Sequence, residues 1–547
     1  MPTNLSAQYI VAGTLYTLDE NNPRAEAMAV DNGTILAVGS MEDARTALPD
    51  VPVIRHEAGV VLPGLVDAHN HHAVAGEEDL FRLAFPATAS TEEIIAAVAG
   101  AVGGVEDGGW IVGGNWGSSL VDELSQTAFL TRIDEITGDV PVLLTDDSHH
   151  NKWANTAAMR LAGILDADAD AKYPRQIVRD ADGNPSGQLL ENAGSAVEQV
   201  RLVSGRPDAE YYARCSERGI EMLAEYGVVA FQDAAASLEN LEGLRKLDDE
   251  GRLKAWAVSS MLINDNIFGN EFVGEALIER GPDFASKHHR PTWTKIFLDG
   301  VPPSHTSAFL EPYVSEDGHE DFGTTLMPLD ELTGWLRIAD AHGVGVKIHA
   351  TGDGSVHEVL DAVETVRAEG ATVPVQIAHG QFITAADRPR MVSLGVIEEI
   401  SPYIWFPGVI ADAVGEVLAP EVMAGFQPNR TLLDLGVSVV VGSDWPVSES
   451  PNPWQAIEGL VTRQDPTGVF SGTLVPEEAI TVEEAIRAVT SHAADAIGVG
   501  DVTGRLRAGQ SADFIFVDQD PYQVPADQLA STRVVRTHFA GEVVYEA

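Results

Sequence analysis

Eight short runs of β-branched and apolar residues, separated by helical patterns, limit what this chain can fold into. They fall at 60–67, 228–233, 253–260, 292–298, 344–348, 373–378, 396–401 and 437–442. Between them, 207–226, 329–342, 356–369 and 386–394 read as helices. Strands alternating with helices bury a parallel sheet under its crossovers. Eight such units predict an α/β chain with a (β/α)8 TIM-like barrel. The first gap, 73–227, is too long for one crossover, because unstructured loops beyond about 15 residues are uncommon. It predicts an inserted subdomain at about 73–205.

The two ends read differently. Residues 9–12, 14–17, 27–30 and 34–38 are β-rich, with a hairpin signal at Asp31-Asn32-Gly33, and 513–517, 534–539 and 543–545 repeat the pattern. They predict a small composite β-sandwich built from both termini, 1–60 and 497–547, around a barrel spanning 61–496.

Composition narrows the function classes. Of 547 residues, 34 are Lys or Arg and 83 are Asp or Glu, a net charge of −49, which repels a phosphate polyanion and argues against nucleic acid as a partner. At 44% apolar residues the chain can bury large cores, which excludes a disordered or fibrous protein. Cys215 is the single cysteine, so no intramolecular disulfide forms and nothing points to an oxidising compartment. The start of the sequence lacks a basic and apolar leader, and no run of 18 uncharged apolar residues occurs. The expectation is a soluble, cytoplasmic protein without a membrane partner.

In a barrel enzyme the chemistry sits at the C-terminal ends of the strands. The first run ends in Asp67-Ala68-His69-Asn70-His71-His72. Residues two apart on a strand share a face, so His69 and His71 can share one metal ion. Taken alone, an HxH is more often a surface or core pair. Lys295 lies inside the apolar fourth run, where an ammonium loses its hydration. With only seven lysines in the chain, a functional lysine and one merely paired with an acid are equally good readings. The fifth, sixth and eighth runs end in His349, His379 and Asp444. Each of these is unremarkable singly. Together, four imidazoles and a carboxylate converging on one barrel mouth are the ligand types that divalent first-row metals select.

These stretches resemble the amidohydrolase superfamily, and within it the branch of YtcJ-like proteins and N-substituted formamide deformylases (amidohydrolase family 3). The matching segments are 62–71, 295–300, 349–353, 378–379 and 442–446, with further matches at 227–234, 153–156 and 504–509. The resemblance implies a metal-dependent hydrolase. It implies that His69, His71 and Asp444 hold one metal, that His349 and His379 hold a second, and that a carbamylated Lys295 bridges the two. Zinc is the expected ion, at one or two per chain. Where related sequences often carry Gln before the proline after the seventh strand, this chain has Ser401-Pro402, preceded by Glu398 and Glu399. The loop 301–305 after the fourth strand also departs from the usual glycine- and serine-rich form.

The chemistry this implies is hydrolysis of an amide-type C–N bond in a small molecule, such as an N-substituted amide or formamide. Metal-activated hydroxide attacks, and Asp444 shuttles the proton to the leaving nitrogen. Candidate substrate contacts are Trp116, His150, His305, Trp405 and Trp445, with rim packing as the blander role for the tryptophans. Asp353, four residues past His349, is a candidate to orient that ligand, or equally a turn-forming residue. Two alternatives stay open. One uses the same metal site for ester, lactone or organophosphate hydrolysis or for isomerisation. The other is a non-catalytic scaffold. The oligomeric state, a homo-oligomer included, is not legible from the sequence.

Overall fold

The computed structural model describes residues 7–547 apart from 87, 106–107, 118–119, 147–150, 181, 205–207, 266–269, 271 and 316–319. The chain divides into two units, Met1–Ala73 with Tyr212–Ala547, and Val74–Tyr211.

The larger unit is built on eight parallel strands hydrogen-bonded in sequence order. They are Leu65–Asn70, Val228–Ala236, Trp256–Leu262, His289–Phe297, Gly345–His349, Val375–Ala378, Val396–Ile400 and Val439–Val441. Eight strands in one right-twisted parallel ladder curl into a barrel. The first strand meets the segment that directly follows the eighth. There Ser443 N–H donates to Asp67 Oδ1 at 2.9 Å, Asp444 N–H to His69 O at 2.7 Å, and His71 N–H to Trp445 O at 2.8 Å.

The run 60–67 is not one strand. Val60–Pro63 pairs antiparallel with Phe514–Val517, and the barrel begins only at Leu65. Gly64 divides them, and any Cβ there would stand 2.2 Å from Val229 Cγ2. The barrel strand therefore carries His69 and ends at Asn70, with His71 immediately beyond. Val60–Pro63 belongs instead to an eight-stranded sheet formed by both ends of the chain. Its order is Glu542–Glu546, Val534–Phe539, Phe514–Val517, Val60–Pro63, Gln8–Tyr16, Arg24–Asp31 and Thr34–Gly39, with Val53–Arg55 alongside Gln8–Tyr16. Tyr9, Met28, Val30, Val61, Phe514 and Phe516 are among the buried residues of its core.

His538 is buried beside that core, stacked on Phe514 with 4.1 Å between ring centroids. Burial pushes its pKa from 6.5 down to about 3. As pH falls below 6.5 the unfolded chain takes up a proton that the folded chain resists. The stability His538 contributes is thus full above that pH and is lost progressively toward pH 3. His538→Phe is expected to keep the stacking and abolish this dependence. Between pH 6 and 5 the variant should lose less stability than the parent, by about 1.2 kcal/mol. Hydrogen exchange of the strand Val534–Phe539 at the two pH values checks this, and an equal change in its opening free energy for both proteins would refute it.

The smaller unit carries its own six-stranded sheet, ordered Ile177–Arg179, Pro185–Leu190, Asn151–Ala154, Val142–Asp146, Ile111–Trp116 and Arg82–Leu83. Helices Thr91–Val102 and Thr127–Thr137 bury Ile94, Val98, Phe129 and Ile133 in a core shared with Leu143, Trp116 and Trp153. Among the described residues no helix is long and apolar enough to cross a membrane.

Candidate metal centre

Period-two alternation sends every second side chain of a barrel strand inward. His69 is fully buried on the first strand, and His71, just past its end, is nearly so. Both Nε2 atoms lie 3.3 Å from the same oxygen, Asp444 Oδ1. Asp444 follows the eighth strand with left-handed backbone, φ 55°, and His379 follows the sixth with φ 74°. Such conformations are costly away from glycine, and they concentrate at functional sites. Gly442 lets the eighth strand come this close, since a Cβ there would sit 2.3 Å from His69 Cβ.

The His69 and His379 rings are 4.7 Å apart. One ligand-type atom from each of His69, His379 and Asp444 lies within 4.8 Å of the other two. His349 stands beside His379, 4.9 Å between centroids, with its Nε2 2.9 Å from Gly300 O. Lys295 is buried on the fourth strand in register with Lys347 on the fifth, its Nζ 4.9 Å from the Phe297 ring centroid.

The electrostatics follow from burial and crowding. Burial, with the Lys347 charge beside it, pushes the Lys295 ammonium down to about 7. Burial and then Lys295 bring His349 to about 4, and burial takes His379 well below the usual imidazole range. Burial alone would raise Asp444, but the surrounding histidines, His69 foremost, hold its carboxyl well below the usual carboxylate range.

The residues fit a metal ion. His69 Nε2 is buried with no hydrogen-bond partner, a costly state for an imidazole nitrogen unless a ligand uses its lone pair. It faces an anionic carboxylate among further imidazoles, the nitrogen and oxygen donors that zinc takes.

The remaining sequence candidates are placed elsewhere or differently. Trp116 is fully buried in the core of the smaller unit, so its ring packs that core rather than forming a substrate wall. Trp405 is also buried, with the Arg463 guanidinium 4.2 Å over its ring, and so serves packing. Trp445 is buried next to Asp444, and its carbonyl accepts from His71 N–H. His305 stacks on Tyr313 at 4.3 Å with its Nδ1 3.2 Å from Asp321 Oδ2, which ties it to its own loop. His150 lies outside the described residues. Asp353 opens the helix Asp353–Ala368, and its carboxylate bonds the backbone at Leu310 and Gly354 rather than His349. The residue beside His349 is Asp299, with Oδ1 3.6 Å from His349 Nε2. The Asp299 carboxylate also accepts from Thr351 N–H, Gly352 N–H and Ser355 Oγ–H, pinning the loop that follows the fifth strand.

Sequence reasoning passed over Lys347, Glu399 and Asp67. Lys347 precedes His349 by two, so the alternation that paired His69 with His71 also turns Lys347 inward. Glu399 stands two before Ser401 on the same grounds. Asp67 accepts from His69 N–H, Asn70 Nδ2–H, Ser443 N–H and Ser443 Oγ–H, and so fastens the first strand to the end of the eighth.

Comparison with known proteins shows the family. The chain is 28% identical to the N-substituted formamide deformylase of Arthrobacter pascens over 564 aligned positions, covering 100% of this chain and 99% of that protein. It is 26% identical to the YtcJ protein of Bacillus subtilis, covering 98% of each. Its fold is similar to that of an uncharacterized metal-dependent hydrolase from Pyrococcus horikoshii. The TM-score is 0.77 at 20% identity, covering 95% of this chain and 99% of that one. The model of the amidohydrolase family matches residues 57–545, and the chain belongs to that family.

Proposed function

We propose that this chain is a metal-dependent hydrolase that cleaves an amide-type C–N bond of a small molecule, of the N-substituted amide or formamide kind. The observation that carries the reading is the buried, unpartnered His69 Nε2 facing Asp444 Oδ1 with His71 and His379 alongside. The full-length similarity to a protein named N-substituted formamide deformylase supports the choice of bond.

His69, His71 and Asp444 would hold one divalent ion, and His349 and His379 a second. When bound, such an ion supplies Lewis-acid polarisation of a carbonyl and lowers the pKa of water. The rest of the chemistry falls to the protein. Asp444 is anionic and close to both first-strand histidines, and it takes the proton from water and delivers it to the departing nitrogen. That delivery matters because an amine leaves poorly unless protonated. Lys295, pushed down to about 7, is about half unprotonated at neutral pH. Its nitrogen lone pair would add to the carbon of CO2 and lose a proton, so that a buried neutral amine would become a carbamate anion able to serve as a metal ligand.

The first test is metal content per chain by inductively coupled plasma mass spectrometry, on protein purified without chelator, for the parent and for Lys295→Ala. About two ions, falling to about one or fewer in Lys295→Ala, is the expected result. A panel of chromogenic formanilides, amides and esters then reads out the bond. Failure to take up zinc or manganese would overturn the hydrolase reading. Cleavage of the esters alone would overturn the choice of C–N bond.

A further inference from the structure

We infer that Glu399 is a positioning residue that fixes the tautomers of two metal-facing histidines at once, His69 directly and His379 through Ser401. The inference rests on the proposed metal site and says which groups prepare it.

Glu399 is fully buried on the seventh strand. Its Oε2 lies 2.6 Å from His69 Nδ1 and 3.7 Å from Lys347 Nζ. Its Oε1 accepts from Ser401 Oγ–H at 3.2 Å, and Ser401 Oγ is 3.3 Å from His379 Nδ1. Lys347 also donates to Ala68 O at 2.9 Å, the carbonyl just before His69. One carboxylate therefore links residues of the first, fifth and seventh strands, and reaches the end of the sixth through a single hydroxyl.

The hydrogen-bond inventory sets the direction of every proton in this chain of contacts. A carboxylate only accepts, so His69 must carry its proton on Nδ1, which leaves a lone pair on Nε2. Ser401 spends its one hydrogen on Glu399 Oε1, so its oxygen is left to accept from His379 Nδ1–H. His379 Nε2 is then bare as well. A metal ligand needs that lone pair, and outer hydrogen bonds of this kind fix the ring and raise its basicity. Without the carboxylate either ring can present N–H to the centre instead. The Lys347 ammonium, 3.7 Å from the same Oε2 that meets His69, supplies the counter-charge that keeps the carboxylate anionic. The packing is close: a Cβ at Gly442 would stand 2.3 Å from His69 Cβ and 2.6 Å from Glu399 Oε1, so glycine at 442 is what admits both side chains together.

The test measures zinc affinity by competition with a chromophoric chelator, with circular dichroism as the check on folding. Removing Glu399 alone leaves the Lys347 ammonium buried and unpaired, which is costly in itself. The informative variant is therefore Lys347→Met/Glu399→Met, which is charge-balanced and fills the space. It is expected to fold and to bind zinc about 10–100-fold more weakly than the parent. Parent-like zinc affinity in this double variant would mean that Glu399 merely neutralises Lys347, and would overturn the inference. Ser401→Ala removes one hydroxyl and is expected to weaken zinc binding with the circular dichroism spectrum unchanged. Undiminished affinity there would overturn the His379 arm. If the parent itself takes up no zinc, the fault lies with the metal-site reading on which this rests, and the inference falls with it. A parent that binds zinc beside an unaffected double variant condemns the positioning role alone.

Discussion

Asp444→Asn is expected to lower kcat by about 10²–10⁴-fold on any amide the chain hydrolyses, with the far-ultraviolet circular dichroism unchanged. The substitution isolates charge and proton transfer from shape. The Asp444 N–H bond to His69 O, which helps join the eighth strand to the first, is a backbone contact that Asn retains. What disappears is the anion whose Oδ1 lies 3.3 Å from the Nε2 atoms of both His69 and His71. An amide cannot take a proton from water and return it to a leaving nitrogen. It also puts a neutral dipole where the imidazoles now hold a carboxyl well below its usual range. His492→Ala is the matched control, since His492 lies on the helix Ser491–Ile497 and takes no part in the centre. Its kcat should stay within about twofold of the parent, the size of change expected where no transition-state contact is lost. Comparable losses in the two variants, both folded, would place the active site elsewhere.

Much of this site was legible because a strand writes its geometry into sequence at period two. His69, His71, His349, His379 and Asp444 could be read as strand-end residues once the eight runs were recognised. The same rule would have turned Lys347 and Glu399 inward, but their partnership depends on long-range closure. Glu399 meets His69 across 330 residues of sequence, a contact that only the closed barrel creates. The first run reads as one strand for a local reason: up to Asp67 it carries no polar side chain, and the close approach of Gly64 to Val229 separates its two halves. Substrate contacts were the least legible. Loop side chains follow no period, and a tryptophan that could face a cavity reads the same as one that fills a core. Trp116 and Trp405 both turned out to be packing residues.

Trp153→Ala carries the largest stability change expected, about 3–5 kcal/mol, confined to residues 74–211. Trp153 sits on the strand Asn151–Ala154, opposite Leu144 on one neighbour and Gln188 on the other. Its side chain is wholly buried, and Phe129 meets the indole edge-on at 4.9 Å. The indole N–H donates to Leu124 O at 3.2 Å. Truncation therefore removes apolar burial, an aromatic contact and the partner of a buried carbonyl at one stroke, and the cavity lies mid-sheet, where backbone pairing prevents collapse. The chain divides into two units, so a single melting temperature does not describe it. Hydrogen exchange resolved by peptide is the better measurement. Amides of the strands Val142–Asp146 and Asn151–Ala154 should lose protection in Trp153→Ala, while those of the barrel strand Gly345–His349 keep it. Equal loss in both regions would mean that the two units unfold as one, and unchanged protection in the two strands of the smaller unit would mean that its core does not depend on this ring.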